Sequence, residues 1–414
     1  MTANATTWDP ALKQLYRDNL VHKNTFTDRP MLGLAQKFEG FTGRNMPMLA
    51  VYGNPQGRSA TFTEAQGNTT STKMEDFLLD VVSNYSLAHV TGDVIDRTKS
   101  DKGAFLKALK ASIDNAMDSL ADDLESSIPR SGTGTIGQVS SGSTVTNQTI
   151  TLEEVSDVAN FEVGMTLRGT STDGGAYDTG EEVLAGINRS TGVLTATSAA
   201  WNTVMSALAA SDFLVVSGDA QNGTSNAKLK MTGLDEWLPD STPSTALWGV
   251  TRSVDSRLYG TYHDGSAQTM EDALVDAQSK SAQQEGSPNL GIINHTKMRR
   301  LIKELGANKE YTTVNAVSSK GVVANVGYRG VFIQGDKNVI KIVAANKCPS
   351  ARGYLLEQEN YTVFSIGKVT KFLEDDGNRI LRQATADGVE VRLVSRANVA
   401  LKNPIGHVRV KLPA

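Results

Sequence analysis

Asp173, Asp178, Glu181 and Glu182 fall within ten residues and form a dense group of oxygen ligands. Such a group could hold calcium. An EF-hand loop, however, sets its ligands at fixed alternate positions around a sharp glycine turn, and this spacing differs. A solvated acidic loop is the simpler reading. Gly132-Thr-Gly134-Thr-Ile-Gly137 fits the pattern G-x-G-x-x-G. Dinucleotide binding needs a strand before that pattern and a helix after it, so that the pyrophosphate meets a helix N-terminus. Here helical periodicity comes first and strand-like alternation follows, so the glycines read as a flexible joint. The histidines, His22, His89, His263, His295 and His407, include no pair at i, i+4. A zinc or catalytic centre would have to be assembled from distant segments. His295, at a predicted helix start, reads as a polar packing residue. There is no G-x-S-x-G elbow and no Walker A loop. Cys348, followed by Pro349, is the only cysteine. It excludes an intrachain disulfide and reads as a buried thiol in a chain made in a reducing compartment. These residues predict no catalytic site, no cofactor and no metal.

The chain that must position them has 414 residues, more than one compact core usually covers. The hydrophobic fraction is 39%, enough for a core without surplus, and the net charge is −4. A protein that holds nucleic acid by neutralising phosphates should be basic, so tight binding by the whole chain is disfavoured. The first ten residues lack the basic start and apolar core of a secretion signal. No apolar run approaches the roughly 18 residues that a membrane span needs. The expectation is a soluble protein, cytoplasmic when made, with no membrane contact.

Residues 1–44 read as an extended arm with a short helix over 10–19 and scattered apolar anchors, among them Trp8, Phe26 and Met31. Residues 45–90 read as a long β-hairpin. Met46 to Tyr52 is an apolar strand, Gly53 to Gly57 is turn-rich, and Arg58 to Thr63 resumes strand alternation. Phe77 to Val82 and Tyr85 to Val90 read as further strand. From Asp101 to Ile128, apolar residues at Phe105, Leu109, Ile113, Met117, Leu120, Leu124 and Ile128 recur at helical spacing, with Ser100 as N-cap and Pro129 as terminator.

At Ser131 the composition changes to Gly, Ser, Thr and Val in short alternating runs, up to Leu229. That pattern predicts a small all-β domain inserted between linkers. It holds ten acids against three bases, a net of −7, whereas the remainder carries 38 bases and 35 acids, a net of +3. The asymmetry suggests an acidic knob that points to solvent and away from any polyanion. After Thr269, helices over 269–284 and 296–305 alternate irregularly with strands near 290, 330, 339, 353, 361, 389 and 407. The body is therefore α+β.

This order of elements resembles the Hong Kong 97-type major capsid protein of tailed double-stranded DNA bacteriophages: arm, long hairpin, single long helix, mixed central region and β-rich return. Two stretches carry the likeness locally. Leu290-Gly-Ile-Ile-Asn-His-Thr-Lys-Met-Arg-Arg-Leu-Ile-Lys-Glu-Leu305 is similar to the strand-then-helix segment of the axial domain. Ala386-Asp-Gly-Val-Glu-Val-Arg-Leu-Val-Ser-Arg-Ala-Asn-Val-Ala-Leu401 is similar to the closing peripheral strands. The resemblance implies an N-terminal arm (1–44), an extended loop (45–90), a peripheral domain with a spine helix (91–130), an inserted all-β domain (131–229), an axial domain (230–365) and C-terminal peripheral strands (366–414).

It also implies a structural, non-enzymatic subunit that self-assembles as hexamers and pentamers into an icosahedral shell. Assembly would take place in the host cytoplasm and the product would be the virion. The expected partners are other copies, a separate scaffolding protein, a portal, and packaged DNA contacted without sequence preference. No scaffolding segment is expected at the start of this chain. Lys73 is the only lysine between Arg44 and Val90, and no covalent crosslink is expected. Trp8, Phe26, Arg44, Tyr52, Arg58, Phe62 and Glu64 are the candidate interface residues. A competing reading is a virion surface or tail-associated host-binding protein, with the β insertion as binding module and Trp201 and Tyr177 as stacking residues.

Overall fold

The computed structural model describes residues 25–26, 28–93, 102–198, 200–220, 228–305, 330–374, 377–383 and 387–414, with backbone only for 102–108. Trp8 and the helix expected over 10–19 lie outside them.

The chain enters through a short helix α1 (Pro30–Leu34), whose proline stands in the first turn where no N–H is needed, and strand β1 (Gln36–Phe38). β2 (Met46–Gly53) runs out to helix α2 (Phe62–Gly67), and β3 (Lys73–Leu79) runs back. The ribbon's second strand is thus 73–79. Arg58 to Thr63, expected as strand, is loop and helix start instead, because Thr61 opens a helical turn before Phe62. β4 (Val82–Thr91) follows, and then the long helix α3 (Lys102–Ser127). At 26 residues α3 is a rod of about 39 Å. Leu109, Ile113, Met117 and Leu120 bury its stripe against Ala88 and Val90 of β4.

Beyond α3, strands β5 (Thr135–Gln138), β6 (Thr149–Thr151), β7 (Thr166–Thr170), β8 (Glu182–Asn188) and β9 (Val193–Ala196), helix α4 (Trp201–Val204) and strand β10 (Phe213–Val216) make one unit. Its sheet runs β5-β10-β7-β8-β9-β6. Phe161, Leu167, Leu184, Leu194, Trp201 and Leu214 form a core separate from the rest.

The chain then runs through helix α5 (Leu234–Trp237), strand β11 (Thr261–Asp264), helix α6 (Met270–Ala282), strand β12 (Leu290–Ile293) and helix α7 (His295–Leu305). Thr269 caps α6 by accepting from the N–H of Asp272, and Asn294 accepts from the N–H of Thr296 at 3.0 Å to cap α7. The strands β13 (Gly330–Gln334), β14 (Val339–Ala344), β15 (Arg352–Leu356), β16 (Tyr361–Ser365), β17 (Lys371–Phe372), β18 (Ile380–Arg382), β19 (Gly388–Leu401) and β20 (Val408–Lys411) close it.

Two further six-stranded sheets build the body. One follows β1-β16-β19-β17, with β18 and β4 also on β19; the other runs β11-β20-β15-β12-β14-β13. The topology interleaves the two ends of the sequence. β20 lies parallel to β11, and β16 lies parallel to β1. β4 pairs with β19 from Thr91↔Gly388 to Val82↔Ala397, so it belongs to the body and not to the ribbon. The largest core joins Met31, Leu32 and Phe41 to Phe77, Trp237, Tyr361, Phe364 and Leu401.

Candidate subunit-docking surface

β2 and β3 form a two-stranded sheet by themselves. An isolated ribbon of this size is marginal in water, so its fastening and its cover matter. Directly opposite residues share a face. Met46/Leu79 and Met48/Phe77 point to the body, with Phe77 and Leu79 fully buried. Pro47/Leu78, Leu49/Asp76 and Val51/Met74 point away from it. Leu49 is 54% exposed, Val51 52%, Met74 50% and Leu78 44%. The strands are therefore apolar on both faces, and among the described residues none covers the outer face.

Among the described residues, three hydrogen bonds tie the ribbon to the body. The Leu78 N–H donates to the Trp248 carbonyl at 3.0 Å. Arg257 Nη1 donates to the Tyr52 carbonyl at 2.7 Å. Asn398 Nδ2, on β19, donates to the Asp80 carbonyl at 3.0 Å. Beyond Gly53, every residue from Asn54 to Glu64 is exposed, including Phe62 at 78%.

Of the expected interface residues, the fold gathers Tyr52, Arg58, Phe62 and Glu64 on the ribbon and its tip. Tyr52 is half-buried, and Arg58, Phe62 and Glu64 are exposed. Arg44 is exposed just ahead of β2. Phe26 is a correction: it is 2% exposed, sits in this chain's own core and carries Lys37 Nζ 3.3 Å from its ring centre. Leu49, Val51, Met74 and Leu78 were overlooked as surface, although Met46 to Val51 is apolar at both parities, which is the signal of a strand covered twice. Trp248, Arg257 and Asn398 come from distant segments and leave no local signal.

Three of the four clustered carboxylates are engaged in structural contacts, while Asp178 keeps one buried oxygen, Oδ2, with no hydrogen-bond partner among the described residues. Asp173 accepts from the hydroxyls of Thr133 and Thr135 at 2.5 and 2.7 Å. Glu181 accepts from Arg168 Nε at 2.8 Å. Glu182 is buried and accepts the N–H groups of Thr197 and Ser198 at 2.9 and 3.0 Å. Among the described residues no three His, Cys, Asp or Glu side chains converge as a metal site. Burial pushes the Cys348 thiol far above its ordinary pKa, which leaves it inert. His295 is exposed, not packed, because α7 turns Met298, Leu301 and Leu305 inward instead. Trp201 is a core residue whose Nε1 donates to the Gln148 carbonyl at 2.9 Å, and Tyr177 lies under the Arg168 guanidinium. Trp201 is therefore unavailable for ligand stacking.

The glycine-rich joint is clamped and not loose. Gly132 and Gly134 have φ of 87° and 88°, and a Cβ on Gly134 would stand 2.4 Å from the Asp219 carbonyl. Lys230 bridges Asp123 on α3 (2.7 Å) and Asp219 beside β10 (3.0 Å). Burial opposes its charge, but the two carboxylates outweigh burial and hold its pKa above the ordinary lysine value. Arg130 pairs with Asp157 at 2.7 Å, and Lys347 donates to the Ala159 carbonyl.

No family model and no curated protein matches this sequence. Solved structures do match it. The cyanophage A-1(L) capsid asymmetric unit aligns over 94% of this chain and 93% of its own, with a TM-score of 0.54 and 11% identity. The chain has a phage capsid fold. The mixed helix-and-strand body expected from the element order is the architecture that this alignment spans. The capsid of a native GTA particle (TM-score 0.46, 9% identity, 94% of this chain and 91% of that one) and Mycobacterium phage Ogopogo (0.45, 8%, 92% and 91%) are matched more weakly and add no weight.

Proposed function

We propose that this chain is a major capsid protein: a non-catalytic subunit that builds an icosahedral shell around a phage genome. The observation that carries the reading is the ribbon β2–β3, whose outer face of Pro47, Leu49, Val51, Met74 and Leu78 is exposed among the described residues. An exposed face of this kind, apolar except for Asp76, marks a docking surface. The occupant is another copy, because the chain with the similar fold belongs to a capsid asymmetric unit. Residues 45–79 act as the extended loop, α3 as the spine helix of a peripheral domain, residues 230–365 as the axial domain, and residues 131–229 as an inserted decoration. Arg44, Arg58, Phe62 and Glu64 are contacts at the ribbon and its base. Each contact is weak alone, and several per subunit act together.

Hexamers and pentamers form the shell, guided by a separate scaffolding protein and interrupted by a portal. The acidic β unit faces away from the packaged DNA, since a net −7 knob is repelled by a polyanion. Electron microscopy of the expressed chain, alone and with a co-expressed scaffolding protein, tests the reading. Closed particles with the β unit on the outside are expected. Discrete small oligomers in both conditions, or the β unit on the inner surface, would overturn the corresponding part.

A further inference from the structure

Leu247 and Val250 exchange backbone hydrogen bonds at 3.0 Å in both directions and enclose a two-residue turn. Its central residues, Trp248 and Gly249, have φ of 45° and 89°. Positive φ at both positions defines a type I′ turn, for which Asn-Gly is the favoured pair. A bulky aromatic residue is disfavoured at the first position. A local rule broken in this way calls for a compensating contact elsewhere.

The contacts of Trp248 supply it. Its ring meets Trp237 edge-on with centroids 5.2 Å apart and meets Phe364 at 6.4 Å. Trp237 in turn meets Phe77 of β3 at 5.2 Å, and Phe364 stacks on Phe41 at 5.7 Å. Phe41 closes the segment that α1 and β1 begin. A continuous row of five rings, Phe41–Phe364–Trp248–Trp237–Phe77, thus joins the entering segment to the root of the ribbon. Trp248 also accepts the ribbon's Leu78 N–H through its own carbonyl, so one strained residue holds both the ring row and the backbone tie.

We propose that Trp248 is a coupling residue that transmits displacement of the entering segment around Phe41 to the root of the ribbon, and the reverse. Packed rings in a dense core shift together and not independently. A copy that seats one of the two segments therefore biases the other. This goes beyond the shell-building role and is a property of the single chain.

The test uses hydrogen exchange of the unassembled full chain, so its outcome is separate from whether shells form. Trp248→Asn places the preferred residue in the I′ turn and removes the ring, so the turn persists while the row is cut. Phe41→Leu perturbs the far end. With Trp248 present, Phe41→Leu is expected to speed exchange of the Leu78 and Leu79 amides by about threefold or more, the scale of a coupling energy near 0.7 kcal/mol. In the Trp248→Asn background the same change should leave those amides unaltered, and Trp248→Phe should restore part of the response. Amides of 193–196 in the β unit serve as the reference. Equal responses in both backgrounds, no response in either, or a matching rise in the reference amides would each overturn the proposal.

Discussion

Glu125, on the buried flank of α3, accepts the backbone N–H of Met31 at 2.9 Å, and its second oxygen accepts that of Leu32 at 2.8 Å. One carboxylate thus holds the first turn of α1, while Arg29 reaches Asp122 at 3.0 Å alongside and the Tyr361 hydroxyl donates to the Met31 carbonyl at 2.9 Å. The entering segment is fastened to the long helix by charge as well as by apolar burial.

This arrangement sets a pH dependence. Burial raises the Glu125 carboxyl to about 7, against the opposing pull of the two N–H groups and Arg29. The native state then keeps a proton that the unfolded chain loses near 4.5. Stability from this group is complete below about pH 4.5 and declines as pH rises towards 7. His407 has the opposite sign: burial lowers it from 6.5 to about 4, so its contribution is complete above about 6.5 and declines as pH falls towards 4. Glu125→Gln should remove the decline between about pH 4.5 and 7 and leave the acid limb. A variant whose urea midpoints still decline across that window would refute the assignment.

Lys230→Met should destabilise the chain by about 3 kcal/mol, because it strands the partly buried Asp123 and Asp219 carboxylates beside each other. Adding Asp123→Asn should recover part of the loss. Chemical denaturation of both variants measures the two effects, and strict additivity would show that the bridge is not the cause.

Leu49→Lys combined with Val51→Lys should change the stability of the unassembled chain by less than about 0.5 kcal/mol, since both side chains are more than half exposed and a lysine at 49 would stand opposite Asp76. The same pair should abolish particle formation in sedimentation. Phe77→Ala, on the opposite face of the ribbon, should instead cost about 3–5 kcal/mol in the unassembled chain.

Trp201→Ala should cost about 3–5 kcal/mol and act on the β unit, whose core it fills. Hydrogen exchange should rise across 135–216 and stay unchanged in α6 and α7. A Trp201→Ala chain that folds normally but loses a carbohydrate ligand would revive the stacking role.

Much of the fold was legible because periodicity and caps are local. The apolar stripe of α3 and the short strands between 135 and 216 stand where the residues point. The ribbon was half legible: Met46 to Tyr52 was read as strand, but its partner is 73–79, because alternation across Arg58 to Thr63 does not distinguish a strand from a turn of helix. Assignments to sheets were not legible. β4, β16 and β20 pair with segments far away in sequence, and register between distant strands leaves no trace in either strand alone. The acidic cluster and the glycine-rich joint misled for a related reason. The groups that neutralise or clamp them, such as Thr133, Arg168, Lys230 and Ser198, are brought in by folding.

The parallel pairing of β11 with β20 bears on the order in which a copy matures. β20 leaves the ribosome after every other element described here, yet it is an interior member of the sheet that holds β11 and β15. A nascent chain can close its β unit early, but it cannot complete that sheet until translation has passed Lys411. A copy still in synthesis would thus lack an interior strand of that sheet, and under the shell-building role proposed above it would join its neighbours only after synthesis is done.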